Sequence, residues 1–367
     1  MIDDRLIYRI ALTLIPGVGD VLGKKLVSLC GSAEAVFKEP RRHLRKLPRI
    51  GNILANATGN REILVLAEKE VQFIERFRIT PLYFQDPDYP QRLKHCFDSP
   101  VLLYYKGVVD LNAKRVLGIV GTRNATAYGK SVTNHIIREL VIHQPLVISG
   151  LAYGIDGQAH RGALENGLNT VGVLGHGLDR IYPFLHKSLA EKMLTQGGLL
   201  TEFLSGSKPD RENFPKRNRI IAGLCDVIVV VEAAEKGGAL ITADIANSYH
   251  RDVFAIPGRV NDPYSAGTNF LIRTNKAALI QKPEDLEILM GWKQESNSTS
   301  TVQRKIFQEL TPHEEVIVKL LEDRTQVPID EIINLTELTT SQVATALLNL
   351  EFEGLIKCFP GKVYELL

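Results

Sequence analysis

The chain has 367 residues, 44% hydrophobic and 23% charged, with 44 Lys and Arg against 42 Asp and Glu. That length admits two or three domains, and the near-neutral balance excludes a global basic field, so any nucleic-acid site must be a local concentration of cations. Cys30, Cys96, Cys225 and Cys358 are scattered and form no C-x-x-C, which supports neither a zinc ribbon nor a disulfide framework and points to reduced thiols in a cytoplasmic setting.

The opening MIDDRLIYRIAL is acidic and reads as an amphipathic helix, not a secretory signal. Residues 1–80 read as a helical module. Its loop IPGVG (15–19) has the h-x-G-h-G shape of a helix–hairpin–helix, where a helix start offers backbone N–H groups to phosphate. LPRIG (47–51) is a degenerate copy with Arg49 in place of the first glycine. Two readings stand: direct DNA contact, or packing helices with glycine turns.

From about 114 the pattern changes. RVLGIVG, PLVISG, TVGVLG, GLLTEF, DVIVVVEA, DVFAIPG and AALI are apolar runs separated by helical stretches. They suit strands buried on both faces of a parallel, doubly wound sheet. No apolar run approaches the roughly 18 to 20 residues that cross a bilayer, so no membrane association is expected. Residues 81–290 are assigned to the sheet domain.

Ligands of such sheets bind beyond the carboxyl ends of the strands. Those ends carry Gly121-Thr122-Arg123, Ser149-Gly150 with Gly154 soon after, Gly175-His176-Gly177, Glu232 with Lys236-Gly237-Gly238, and Pro257-Gly258. Repeated glycines predict an edge stripped of side chains, where a ligand reaches backbone N–H groups.

The stretch GTRNATAYGKS (121–131) ends like a P-loop, but Asn124 occupies the place of its first glycine. The phosphate cradle is therefore incomplete and no ATPase is expected. The dinucleotide fingerprint is also missing, which disfavours NAD. No cofactor is expected.

FPKRNRIIAG (214–223) places Lys216, Arg217 and Arg219 within four residues, beside Phe214 and Asn218. Cations at a helix start oppose its dipole, a cost that an anion would offset. Phe214 reads as a base-stacking ring or as core, and the cations as phosphate contacts or as a solvated turn. Asp156 and His160 lie one turn apart, as a structural pair or acid–base partners. No H-E-x-x-H, G-x-S-x-G or carboxylate-rich metal cluster is present, and no catalytic or metal residue is expected.

Residues 291–308 read as a polar linker. Residues 309–367 then read as helix, short helix, a Thr-capped helix and a hairpin, the pattern of a winged helix.

The stretches GIVGTRNATAYG, SGLAYGIDGQAHRGAL, GVLGHGLDRIYP, FPKRNRIIAGL, VVVEA, GGALITA, VFAIPG and GTNFLI together resemble the DNA processing protein A (DprA/Smf) family. The chain departs from the family pattern at His176, where a small residue or Cys is usual, and at GGALIT (237–242) for S-G-S-L-I-T. The resemblance implies an extended Rossmann-like sheet domain that forms a homodimer, a SAM-like helical module before it and a winged helix after it. It also implies a cytoplasmic protein, not an enzyme, that binds single-stranded DNA, protects incoming DNA and loads RecA recombinase during natural transformation. The residues expected at the DNA are Gly121, Thr122, Arg123, Ser149, Gly150, Gly154, Gly175, Gly177, Phe214, Lys216, Arg217, Asn218, Arg219, Gly237 and Gly238. Two alternatives stand beside this reading. One is a Rossmann-like enzyme cleaving nucleotide glycosidic bonds with Glu232 and Arg217. The other is a duplex-DNA regulator reading through the winged helix.

Overall fold

The computed structural model describes residues 4–45, 51–58, 60–292, 310–322, 324, 326–359 and 361–367. Residues 47–50 of LPRIG and 293–308 of the expected linker lie outside the described residues.

Six helices come first: α1 (Asp4–Thr13), α2 (Asp20–Cys30), α3 (Ala33–Lys38), α4 (Arg41–Leu44), α5 (Gly51–Ala57) and α6 (Arg61–Phe77). Ser32 and Asn60 cap α3 and α6 by accepting backbone N–H bonds. Apolar faces at helical spacing bury Ile10, Leu26, Val36, Leu44, Ala67, Val71 and Ile74 in one core. That core also contains Tyr83, Val101, Leu102 and Tyr104 from the next two strands, so the helices pack directly against the sheet.

The sheet has nine strands: β1 (Thr80–Tyr83), β2 (Leu102–Gly107), β3 (Val116–Val120), β4 (Leu146–Ser149), β5 (Thr170–Val173), β6 (Gly197–Thr201), β7 (Val227–Val230), β8 (Asp252–Ala255) and β9 (Ala278–Leu279). Their order is β1-β2-β6-β5-β4-β3-β7-β8-β9. β3 through β9 are mutually parallel, whereas β1 and β2 add an antiparallel edge through Tyr105↔Leu200. The seven apolar runs of the sequence are the seven parallel strands. The antiparallel pair extends the sheet beyond them. Its tight approach to β6 uses glycine, since a Cβ on Gly198 would lie 2.5 Å from the Tyr105 ring.

Connecting helices cover both faces: α7 (Gln91–Lys94), α8 (Ala127–Glu139), α9 (Ile155–Glu165), α10 (Lys187–Met193), α11 (Asn213–Leu224), α12 (Gly238–Ser248), α13 (Ala266–Arg273) and α14 (Pro283–Leu289). Strand alternation divides the core between the faces. Val116, Val120, Ile228 and Val230 pack with residues of α11 and α12, while Leu117, Ile119, Val227 and Val229 pack with residues of α8 and α9. Each fully buried Val, Leu or Ile contributes about 1.5–3 kcal/mol. The chain builds outward from β3 to β6, then returns to lay β7 on the other side of β3. That reversal opens a crevice at the carboxyl ends of β3 and β7.

The last block comprises α15 (Pro312–Glu322), β10 (Val327–Pro328), α16 (Ile329–Leu335), α17 (Thr340–Phe352), β11 (Ile356–Phe359) and β12 (Val363–Leu366). A capping box between Thr339 and Gln342 starts α17. The three strands form the wing sheet in the order β10-β12-β11. Among the described residues no helix is long and apolar enough to cross a membrane.

Candidate nucleic-acid interface

The P-loop look-alike is filled from within. Thr126 caps α8, accepting the Gly129 N–H at 3.1 Å. Glu232, 1% exposed, accepts the Thr126 N–H at 3.0 Å and the Thr126 hydroxyl. A Cβ on Gly129 would overlap the Glu232 carboxylate. Where a P-loop holds phosphate at a helix start, this chain holds a carboxylate, and a second anion there would be repelled. The same contacts remove Glu232 from any exposed catalytic position.

The open site lies beside it, in a cleft of about 330 Å³ at the reversal of strand order. Gly121, Thr122 and Arg123 enter from β3, Phe214, Arg217 and Asn218 from α11, and Lys236, Gly237 and Gly238 from the β7–α12 loop. The faces of α11 explain the selection: positions 214, 217, 218 and 221 recur at helical spacing and line this cleft. Phe214 is half-buried, with the Arg123 guanidinium 5.1 Å and the Arg217 guanidinium 5.9 Å from its ring centroid. The ring lies over Gly175, where a Cβ would come within 3.2 Å of it.

Arg217 is the deepest cation of the site, 4% exposed. Its Nη1 donates to the Val173 carbonyl at 3.3 Å and lies 3.9 Å from the Asp156 carboxylate. Its Nε has no partner among the described residues. Burial pulls its pKa down, while Asp156 opposes that shift. Burial likewise raises the Asp156 pKa despite Arg217 beside it. Gly150 makes the arrangement possible, because a Cβ there would occupy the guanidinium's place. The Nε is sealed from solvent, so Arg217 acts at the cleft wall as a buried charge, and a guanidinium charge there suits an anion.

The expected residues divide into three groups. Gly121, Thr122, Arg123, Phe214, Arg217, Asn218, Gly237 and Gly238 line the cleft, and Gly150 and Gly175 line an adjoining notch shared with Arg123, Phe214 and Arg217. Ser149, Gly154 and Gly177 support it from behind. Ser149 Oγ donates to the Ile119 carbonyl at 2.6 Å. Gly154, at φ 76°, packs on the Thr122 carbonyl, and Gly177 packs on the Leu204 carbonyl. Lys216 and Arg219 face a different cavity, of about 450 Å³, lined also by Asp20 and Glu202.

Arg219 is committed there. It pairs with Asp20 at 2.9 Å, with Glu202, and with the Asp98 carbonyl, joining α2 to the sheet. Two residues along a helix are about 200° apart, so Arg217 and Arg219 must point in opposite directions. Burial pushes the Glu202 carboxyl up to about 7 against the pull of Arg219. Asp20 also bears on the IPGVG hairpin. It opens α2 and accepts the Val101 N–H at 2.8 Å, so the helix start already holds an anion.

The glycines play two parts. A side chain on Gly121, Gly150, Gly154 or Gly177 would collide with protein atoms, whereas nothing lies within 4 Å of a Cβ on Gly237 and only the Asn218 amide approaches Gly238, at 3.8 Å. The backbone is therefore open at the start of α12. Asp156 and His160 do not pair: Asp156 faces Arg217, and the buried His160 bonds Thr170 Oγ1 at 2.7 Å, its pKa pushed down to about 3 by burial. His176 is buried and bonds the Gly177 carbonyl at 2.9 Å. Thr242 and Tyr264 also line the cleft; Thr242 ends the GGALIT stretch, whereas no sequence motif marks Tyr264. Lys236 lines it too, signalled in sequence by its place before Gly237-Gly238. Among the described residues no group of three or more His, Cys, Asp or Glu could hold a metal.

An open, mostly parallel sheet with a cation-lined cleft at its strand reversal defines a Rossmann-like binding domain. Residues 80–291 match the family model of DNA recombination-mediator protein A, and residues 306–362 match the DprA winged helix domain. The chain belongs to the DNA recombination-mediator protein A family. It is similar to Protein Smf from Synechocystis sp., 34% identical over 98% of each chain. DNA processing protein DprA from Bacillus subtilis is 42% identical over 55% of this chain and 68% of that protein. The X-ray structure of DprA from Streptococcus pneumoniae superposes with TM-score 0.64 at 32% identity, covering 77% of this chain and 97% of that one. A DprA structure from Helicobacter pylori, described in terms of a unique single-stranded DNA binding mode, gives TM-score 0.54 at 28% identity, covering 59% of this chain and 98% of that one.

Proposed function

We propose that this chain binds single-stranded DNA in the cleft between β3, α11 and α12, with little base preference. The observation that carries the reading is Phe214 held beside Arg123 and Arg217, next to open backbone at Gly237 and Gly238. A ring stacks on any base, and guanidinium and N–H groups donate to any phosphate, so the combination ignores sequence. The relationship to the Helicobacter pylori protein supports the same ligand.

On this reading the chain protects incoming DNA and loads RecA recombinase during natural transformation, in the cytoplasm, as a homodimer through the sheet domain. It divides into a helical module (1–80), the DNA-binding sheet domain (81–290), a linker (291–308) and the winged helix (309–367). The alternative of glycosidic-bond cleavage with Glu232 and Arg217 is disfavoured, because Glu232 is buried against Thr126. A duplex-reading role is disfavoured too, because α17 carries no Lys or Arg to reach base edges.

The test titrates the full chain with a single strand, a duplex and a free nucleotide at two salt concentrations, with product analysis. The single strand should bind tightest, with a salt slope of roughly −0.7 per phosphate contacted. Salt-independent binding, preference for one duplex sequence, or a cleaved nucleotide would reject the reading.

A further inference from the structure

We propose that the end of α17, Glu351-Phe352-Glu353, docks into the cation-lined cleft of a second copy of this chain and there competes with DNA. The inference rests on the DNA reading of the cleft and adds its regulation.

Charge is segregated along the chain. Residues 310–367 hold ten Asp and Glu against four Lys and Arg, leaving 32 against 40 in the 309 residues before them. The two regions therefore attract each other, most strongly at low salt. Within the acidic block, α17 has no cation in its last turn. Glu351 and Glu353 nevertheless stand at its carboxyl end, exposed and without ion pairs among the described residues. Acidic groups at that end add to the negative pole of the helix, a local cost that an external cation would relieve.

The apolar component lies on the same surface. Phe352 is 82% exposed and Leu348, one turn earlier, 52% exposed. A largely exposed aromatic ring between two carboxylates has the chemical pattern of a base between two phosphates. The cleft offers the complement. Phe214 supplies a stacking ring, Arg123 and Lys236 are exposed cations, and Arg217 adds a buried positive charge behind them.

The occupant is another copy because the wing turns the other way in its own chain. A Cβ on Gly361, between β11 and β12, would lie 3.1 Å from Arg251, just before the amino end of β8. The cleft is at the carboxyl ends of the strands, and no residue after Tyr264 lines it.

The test mixes ¹⁴N- and ¹⁵N-labelled full-length chains at low salt and couples carboxylates to amines with a carbodiimide. Mass spectrometry should find heavy–light cross-links from Glu351 or Glu353 to Lys236, lost on adding an oligothymidylate. The full-length Glu351→Gln, Phe352→Ala, Glu353→Gln variant should bind the oligonucleotide three- to tenfold more tightly at low salt, with the gain disappearing at high salt. Absence of heavy–light cross-links to Lys236, or unchanged or weaker binding by the variant, overturns the docking while leaving the DNA site standing. If neither protein binds the oligonucleotide, the cleft reading fails and takes this inference with it.

Discussion

Gly150→Ala is expected to disable the DNA site without altering a charged group. The added methyl would occupy the position of the Arg217 guanidinium, so that group must swing away from Val173 and Asp156. On the proposed reading, its phosphate contact goes with it. A hydrogen bond to a charged group contributes about 1.5–3 kcal/mol. At about 1.4 kcal/mol per tenfold, Kd should rise roughly 10- to 150-fold. The salt slope should become shallower by about 0.7, the share of one phosphate. Arg217→Ala should give the same loss, and the double variant no more than either, because both delete one interaction. A folding cost should accompany this. The Asp156 pKa is already raised above 3.8 by burial, so the native state binds its proton more readily than the unfolded chain. Loss of Arg217 raises it further. The stability deficit should therefore be greatest at neutral and alkaline pH and shrink as pH falls through the folded pKa. Fluorescence anisotropy at two salt concentrations, beside melting curves across pH, measures both effects. Wild-type affinity in Gly150→Ala, or additive losses in the double variant, would refute the assignment of Arg217.

Phe214→Ala should weaken single-strand binding by about 1–3 kcal/mol, the value of one stacked base, while Phe214→Tyr keeps most of it; equal affinities for all three proteins would return Phe214 to the core. Glu202 is held near 7 by burial, above its ordinary 4.5, so the native state gains stability as pH falls from 8 toward 5. Glu202→Gln should flatten that part of the melting-temperature profile, and identical profiles would contradict the assignment. No steady ATP hydrolysis is expected, because Glu232 fills the start of α8; phosphate release abolished by Lys130→Ala would reverse that conclusion.

The parallel strands were legible because burial on both faces demands unbroken Val and Ile runs, and β3, β4 and β7 are buried throughout. Their spatial order was not written in any run, since pairing partners are set by crossovers and packing. β1 and β2 are distant in sequence from the strand they extend, so they escaped the alternating pattern. The winged helix was legible for a local reason: the Thr339–Gln342 capping box marks where α17 begins. In the site, proximity in sequence misled. Lys216, Arg217 and Arg219 form one cluster on paper, yet helical rotation sends Arg217 to the cleft and Lys216 and Arg219 toward Asp20 and Glu202. The glycines misled in a related way. Composition identifies a missing side chain but not what fills its place, and at Gly121, Gly150, Gly154 and Gly177 the protein fills it.

Those filled glycines explain how the chain tolerates Arg217. A guanidinium buried to 4% exposure, with an unpartnered Nε and a carboxylate 3.9 Å away, is a costly arrangement for stability alone. Neither partner gains a fully hydrogen-bonded pair, and burial disfavours the charge on both. The glycine at 150 clears the guanidinium's path, Ser149 braces β4 against the Ile119 carbonyl, and Gly175 lets Phe214 close over the adjoining notch. Several positions thus hold one cation in an unfinished hydrogen-bond network. On the proposed reading, a phosphate in the cleft offsets the burial of this charge. On that reading the cost borne by Arg217 is recovered as affinity for the strand, which is why Arg217, and not the better-paired Arg219, is the residue to remove first.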